Sequence, residues 1–245
     1  MTNKPTIIGI DPAPAKGSTI FDGIKCYPSM NPDEVIKFIE ELEPPVLICW
    51  DAPLTGPGEL KDGMFTDRPI EKYFRRMLRQ EPDKQKVGGI SVQGYAGCTH
   101  WTVSKYIFGL PRISRLEIDE ENLPFKLATS RDSIKKHIIE VHPAMAIYLW
   151  LENVPVYKRK PNVAKDLFGQ LKDKGIFAPT MPFEIKDDDQ LDALVAYSLG
   201  RRWIDNAGVS LIGDKKNGQL LLPDSQKISQ EDFREFLLKK KKEEC

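Results

Sequence analysis

Four aspartates occupy positions where a carboxylate needs a physical reason. Asp11 and Asp51 each end a short apolar run, PTIIGID (5–11) and VLICWDAPL (46–54), and each is followed within two residues by proline. Asp189 and Asp192 lie in DDDQLDALVAYSLG (187–200), which reads as a helix apolar on nearly every side beyond its acidic start. An ionised carboxylate against such a face is costly unless a cation or donors meet it, and neighbouring like charges add to the cost. A divalent metal removes both penalties, and ligands of open α/β sheets gather at the carboxyl ends of strands.

Simpler roles compete for some of these acids. Asp187, Asp188 and Asp189 suit a helix N-terminus, where side-chain oxygens cap free amides and the dipole favours negative charge. Asp before Pro commonly opens a turn, which suits Asp11 and Asp51 taken singly. Asp192 is explained least by capping, because it lies beyond the first unpaired amides of a helix beginning at 187. Asp188 and Asp189 precede it by four and three residues and so share its face.

Further residues could assist. Glu140 sits inside IIEVHP between Ile139 and Val141, where either a salt bridge to a core-lining Arg or a place beside the metal would account for it. His142, at the end of the same run, suits a general acid or base or a hydrogen-bonded strand-end role. Lys16 in PAPAKGS can meet a phosphate close to Asp11, or simply belong to a turn. Arg68, Glu71 and Arg75 in DRPIEKYFRR have helical spacing, which suits an ion-pair ladder, or phosphate binding if that face turns towards the acids. Tyr95, His100 and Trp101 in GGISVQGYAGCTHW can stack on bases or pack against a sheet edge.

The elements that must hold these residues recur as strand then helix, which favours an α/β layered fold. PTIIGID and VLICWDAPL are apolar on both alternating faces, as central strands of a covered sheet are, and HIIEVHP (137–143) is a third such run. NPDEVIKFIEELEPP carries Val35, Ile36, Ile39 and Leu42 at helical spacing, with Asn31 or Asp33 as cap and Pro44 and Pro45 as stop. Helices are also predicted in RPIEKYFRRMLRQ, AMAIYLWLE and PNVAKDLFGQLKDKG, the last closed by Gly175. VSLIGDKKNGQLLLP reads as two strands around a turn at Asn217 and Gly218, and EDFREFLLKKKKEEC as a helix fraying into charge. The chain is read as a single domain over 1–245, with a helical and loop insertion at about 56–130 and a hairpin plus tail at about 207–245.

Composition narrows the partners. Lys plus Arg and Asp plus Glu are both 36, so the overall field gives no push towards nucleic acid, membrane or acidic ligands, and any such partner must be met locally. No basic stripe is evident, and the KKKK run reads as a solvated helix end. The four cysteines are widely spaced without C-x-x-C, which suits reduced thiols and argues against structural zinc. No apolar stretch approaches a membrane span and the N-terminus does not read as a signal peptide, so a soluble cytoplasmic protein without membrane association is expected.

GIDP at the first strand, an acid closing a middle strand and D-x-x-D-A-L opening a late helix together resemble the ribonuclease H-like nuclease superfamily, notably its Holliday junction resolvase branch. GIDPAPAKG, ICWDAPL, RPIEKYFRR, IIEVHPA, DDDQLDALVAYSLG and NGQLLLP more closely resemble the domain of unknown function 429 family, whose members are predicted nucleases of that fold. The resemblance implies a mixed five-stranded sheet in the order 3-2-1-4-5 flanked by helices, with Asp11 beside Asp51 and with Asp189 and Asp192 approaching from the late helix. It further implies that these four hold one or two Mg²⁺ or Mn²⁺ ions for phosphodiester hydrolysis of nucleic acid, DNA or RNA, which makes the chain a hydrolase by expectation.

Two other classes are weighed against the nuclease. An actin- or sugar-kinase-like phosphotransferase would use GIDPAPAKGST as a phosphate loop, and would need a second Gly-rich loop such as D-x-G-x-G-T. VGGISVQGYAG lacks the acid before its glycines. A non-catalytic binding module would keep the acids as a structural cluster.

Overall fold

The computed structural model describes residues 4–13, 16–55, 60–61, 64–65, 67–80, 125–177 and 184–243. At its centre lies a mixed sheet of six strands: β1 (Thr6–Asp11), β2 (Ser18–Phe21), β3 (Cys26–Met30), β4 (Val46–Trp50), β7 (Lys126–Leu127) and β8 (Lys136–Glu140). Their spatial order is β3-β2-β1-β4-β8-β7. β1, β4, β8 and β7 run parallel, while β2 and β3 are antiparallel additions on the other side of β1. The five longer strands thus follow the expected 3-2-1-4-5 order, but the sheet has six strands and not five. The sixth is a two-residue edge strand, too short to show any alternation in sequence, within the segment read as an insertion. β5 (Leu60–Lys61) and β6 (Met64–Phe65) form a separate small pair.

Both faces of the central strands are apolar because both are covered. Ile8, Ile10, Val46, Ile48, Trp50 and Ile138 join Val35 and Ile39 of α1 (Pro32–Glu40) in one core. Ile7, Leu47, Cys49 and Ile139 face the other core, shared with α3 (Pro143–Leu151), α4 (Pro161–Asp173) and α5 (Asp188–Ile204). α1 begins with a capping box: Glu34 N–H donates to Asn31 Oδ1 at 3.0 Å and Asn31 N–H donates to Glu34 Oε2 at 2.8 Å. Of the two predicted caps, Asn31 is the one used.

α5 is buried on nearly every side and lies against β1, β2 and β4. Two glycines permit this closeness. A Cβ on Gly9 would stand 2.1 Å from the Ala193 carbonyl oxygen and 2.5 Å from the Tyr197 nitrogen, and one on Gly200 would stand 2.2 Å from Cys49 Sγ. Helix backbone and strand backbone therefore touch at Gly9, one residue past Asp192 on the helix and two before Asp11 on the strand.

The hairpin of β9 (Val209–Asp214) and β10 (Gly218–Pro223) docks on the end of β8 through a parallel bridge between Val141 and Leu221. Its turn follows the predicted chemistry, with Asn217 N–H donating to Asp214 Oδ1 at 2.8 Å and Gly218 at φ +97°. α2 (Pro69–Gln80) packs beside α6 (Gln230–Glu243), where Tyr73 meets Phe233 and Phe236 at 5.5 and 5.7 Å between ring centres. Among the described residues no helix is long and apolar enough to cross a membrane. Cys26 and Cys49 are free thiols.

Candidate functional site

The register of β1 with β4 sets Ile10 opposite Trp50, and the ladder continues as Asp51 N–H donates to the Ile10 carbonyl at 3.0 Å. Asp11 and Asp51 therefore end two adjacent parallel strands. Side chains alternate across a strand, so Asp11 follows Ile7 and Gly9, and Asp51 follows Leu47 and Cys49, on the face covered by α5. The contact at Gly9 brings the start of α5, and Asp192 with it, over the same strand ends. Asp11 is 8% exposed, Asp51 7% and Asp192 fully buried.

α5 separates its acids by task. Asp187 is the N-cap, accepting from Gln190 N–H at 2.9 Å, while Gln190 Oε1 accepts from Lys186 N–H at 2.9 Å. Asp188 and Asp189 lie in the first turn, where the dipole favours them. Asp189 accepts both its hydrogen bonds from the Lys16 ammonium, at 2.6 and 2.8 Å. Asp192 lies beyond the cap and is met from the segment between α3 and α4. Tyr157 donates its hydroxyl to Oδ1 at 2.8 Å, and the Lys158 ammonium pairs with Oδ2. Sequence reasoning did not single out Tyr157 or Lys158; the only hint was a cationic run, YKRK, between two helices.

The electrostatics are those of crowded negative charge in a dry place. Burial raises the Asp11 carboxyl well above its ordinary range, Lys158 opposes that rise, and Asp192, Asp51 and Asp189 add to it. Burial likewise lifts Asp192 against the pull of Lys158 and Tyr157. Burial would lower the Lys158 ammonium, yet Asp192, Asp11 and Asp51 outweigh it and hold the lysine above its ordinary value. Lys16 is raised in the same way by Asp189, against burial. Burial and then the Asp192 charge push the Tyr157 phenol well up, so it stays a donor.

Among the described residues no group of three or more Asp, Glu, His or Cys is arranged to hold a metal ion. Two lysine ammoniums, Lys16 and Lys158, meet Asp189 and Asp192. The donor chemistry nevertheless fits a hard divalent cation: burial first, and then the charges of Asp192, Asp51 and Asp189, impede ionisation of Asp11, and such an ion would relieve both penalties.

Glu140 has the first of its two predicted roles. It shares the strand parity of Ile138, facing the core of α1, and is abreast of Trp50. Its Oε2 accepts from Leu54 N–H at 2.8 Å, from the Thr55 hydroxyl at 3.3 Å and from Arg68 Nη1 at 2.9 Å. Arg68 also donates Nη1 to the Thr55 carbonyl at 2.6 Å and Nε to Glu71 at 2.7 Å. Glu140 and Glu71 outweigh burial and hold the guanidinium above its ordinary value. Arg68 thus lies in the interior, where it fixes the segment leaving Asp51. Thr55 extends the network to the hairpin by accepting from Gln219 N–H at 2.8 Å. The helical ladder is half realised, since Arg68 pairs with Glu71 while Arg75 pairs with Asp67 at 2.6 Å. His142 caps α3, its Nδ1 accepting from Met145 N–H at 3.5 Å. Tyr95, His100 and Trp101 lie outside the described residues.

A mixed sheet with helices on both faces, carrying buried acids at the carboxyl ends of two central parallel strands, defines an α/β protein whose candidate site lies at those ends. Over residues 118–217 the chain matches the family described as protein of unknown function (DUF429), in agreement with the resemblance read from the sequence. The matched stretch carries Glu140, Lys158, Asp189 and Asp192, whereas Asp11 and Asp51 precede it. No curated protein and no solved structure matches the chain.

Proposed function

We propose that this protein is a metal-dependent nuclease with a ribonuclease H-like organisation, hydrolysing nucleic-acid phosphodiesters at Asp11, Asp51, Asp189 and Asp192. The observation that carries this reading is that Asp11 and Asp51, at the ends of adjacent strands, and Asp192 from α5 are all buried, with the charges of Asp192 and Asp51 acting on Asp11. Mg²⁺ or Mn²⁺ bound there would activate a water and neutralise charge on the leaving oxygen. Asp11 and Asp51 present carboxylates from a rigid sheet, and Tyr157 holds the orientation of Asp192. Lys16 and Lys158 bring two ammonium groups to the rim of the acids, where a phosphate would need them.

One observation favours a second reading, a non-catalytic binding module: Asp192 and Asp189 already have internal counter-ions in Lys158 and Lys16. A panel of labelled single-stranded, duplex, branched and RNA substrates with Mg²⁺ or Mn²⁺, run beside Asp11→Asn and Asp192→Asn, separates the two. Cleavage lost in both variants supports the nuclease, and cleavage that survives both overturns the site. No cleavage of any substrate, with no metal bound by calorimetry, favours the module.

A further inference from the structure

We infer that the cleft between α2 and α6 binds the phosphodiester backbone of a nucleic acid. This names the substrate-holding surface of the proposed nuclease and rests on that reading for the choice of polyanion. The cleft has a volume of about 560 Å³ and is lined by Lys72, Arg75, Arg76 and Arg79 of α2 and by Phe236 and Lys240 of α6, with Asp67 at its edge. Five cations thus face one acid in a chain whose charges balance as a whole, so tertiary packing supplies the basic patch that the sequence does not display.

Local structure leaves the charge of Lys72, Arg76 and Arg79 unaccounted for. Asp67 pairs with Arg75, whereas Lys72, Arg76 and Arg79 have no carboxylate partner among the described residues. Lys72 with Arg76, and Arg75 with Arg79, are like charges four residues apart, an arrangement that disfavours a helix unless an anion lies across it. The helix dipole accounts for Arg79 in the last turn but not for the other three. From Lys72 to Arg79 the cations extend about 10 Å along the axis, enough to follow a backbone rather than a single phosphate.

The cleft also suits a nucleic acid better than an acidic polypeptide. The guanidinium groups of Arg76 and Arg79 suit bidentate contact with phosphate oxygens, and Phe236, half-buried against Tyr73, offers a face to a sugar or base. The neighbouring cleft, lined by Arg76, Lys227 and Lys239, also contains Asp232 and Glu235, so its excess is one cation where the first cleft has four.

The test is fluorescence anisotropy of the full chain with a labelled single strand and its duplex, in EDTA, across a salt series. Arg76→Glu/Arg79→Glu is compared with a control of equal charge change on other helices, Lys37→Glu/Lys172→Glu, and Arg76→Gln/Arg79→Gln covers a failure of the first variant to fold. Affinity should fall by about tenfold or more in the Arg76/Arg79 variants, and the single-strand salt slope should shrink by about 1.4, while the control stays within about twofold. Absence of binding by the wild type, equal binding by the Arg76/Arg79 variants, equal loss in the control, or competition by poly-glutamate as effective as by nucleic acid would each overturn the inference. Because EDTA prevents metal-dependent cleavage, failure of the nuclease reading leaves this measurement intact. Cleavage unchanged in Arg76→Glu/Arg79→Glu would refute the groove and spare the acidic centre.

Discussion

Arg68 and Glu140, 72 residues apart in the chain, are hydrogen-bonded from Nη1 to Oε2 at 2.9 Å, with each residue 3% exposed. The pair spans the carboxyl end of the sheet and, through Leu54 and Thr55, holds the segment that begins at Asp51. It positions an acid of the candidate site from the opposite face of the sheet.

Removing one member of a buried pair leaves the other charge without compensation, which costs about 3–5 kcal/mol. Arg68→Met should therefore lose stability of that order in urea denaturation. Glu140→Gln, which keeps an acceptor for Leu54 N–H and leaves Glu71 against Arg68, should lose less than half as much. Equal losses would show that the network is not organised around the guanidinium.

Lys158 is the internal counter-ion of Asp192, so it competes with any other cation for that carboxylate. Lys158→Met should lower the melting temperature in EDTA, because a buried acid loses its counter-ion and keeps only the Tyr157 hydroxyl. The same variant should bind Mn²⁺ about tenfold more tightly by calorimetry, since one competing positive charge is gone. An unchanged Mn²⁺ affinity would place the metal away from Asp192.

Asp11 carries a pH signature. Burial raises its folded-state pKa, so at pH values between the ordinary carboxylate value and that raised value the native state holds the extra proton. Stability is consequently lost as pH rises through the folded pKa, and the penalty is complete only above it. Asp11→Asn should raise the melting temperature in EDTA most at the highest pH measured, and this advantage should shrink as pH is lowered towards the ordinary carboxylate range. A gain independent of pH would mean that the charge on Asp11 is not its source.

Gly9 is where α5 and β1 touch backbone to backbone. A methyl group there meets the Ala193 carbonyl at 2.1 Å, so Gly9→Ala must push the helix away. The expected cost is at least about 1–3 kcal/mol in urea denaturation. On the nuclease reading, cleavage should fall further than stability alone explains, because Asp192 moves with the helix. Gly175→Ala serves as a contrasting glycine variant: nothing lies within 4 Å of its added methyl, and its φ of +68° confines the cost to backbone strain.

Much of the scaffold was legible because its signals are local. Asn31 with Glu34 and Asp187 with Gln190 sit three residues apart, within reach of one helical turn. Runs apolar on both alternating faces marked β1 and β4 as covered strands, and the last residue of each such run, Asp11 or Asp51, fell at the strand end. Asp192 was legible as an anomaly, since no cap reaches so far into a helix. β7 was not legible, because two residues carry no period.

The sequence by itself determined which residues form the longer strands and the helices, where the acids fall on them, and which glycine and asparagine close the hairpin. Only the tertiary structure decided which charges meet: Asp192 receives Tyr157 and Lys158 from 35 and 34 residues away, Asp189 receives Lys16 from 173 away, and Arg68 turns inward to Glu140. It also decided that α2 and α6 share a basic cleft. Caps, turns and periodicity act through neighbours along the chain, whereas an ion pair depends on distance in space and on exclusion of water, and both are set by which faces the core brings together.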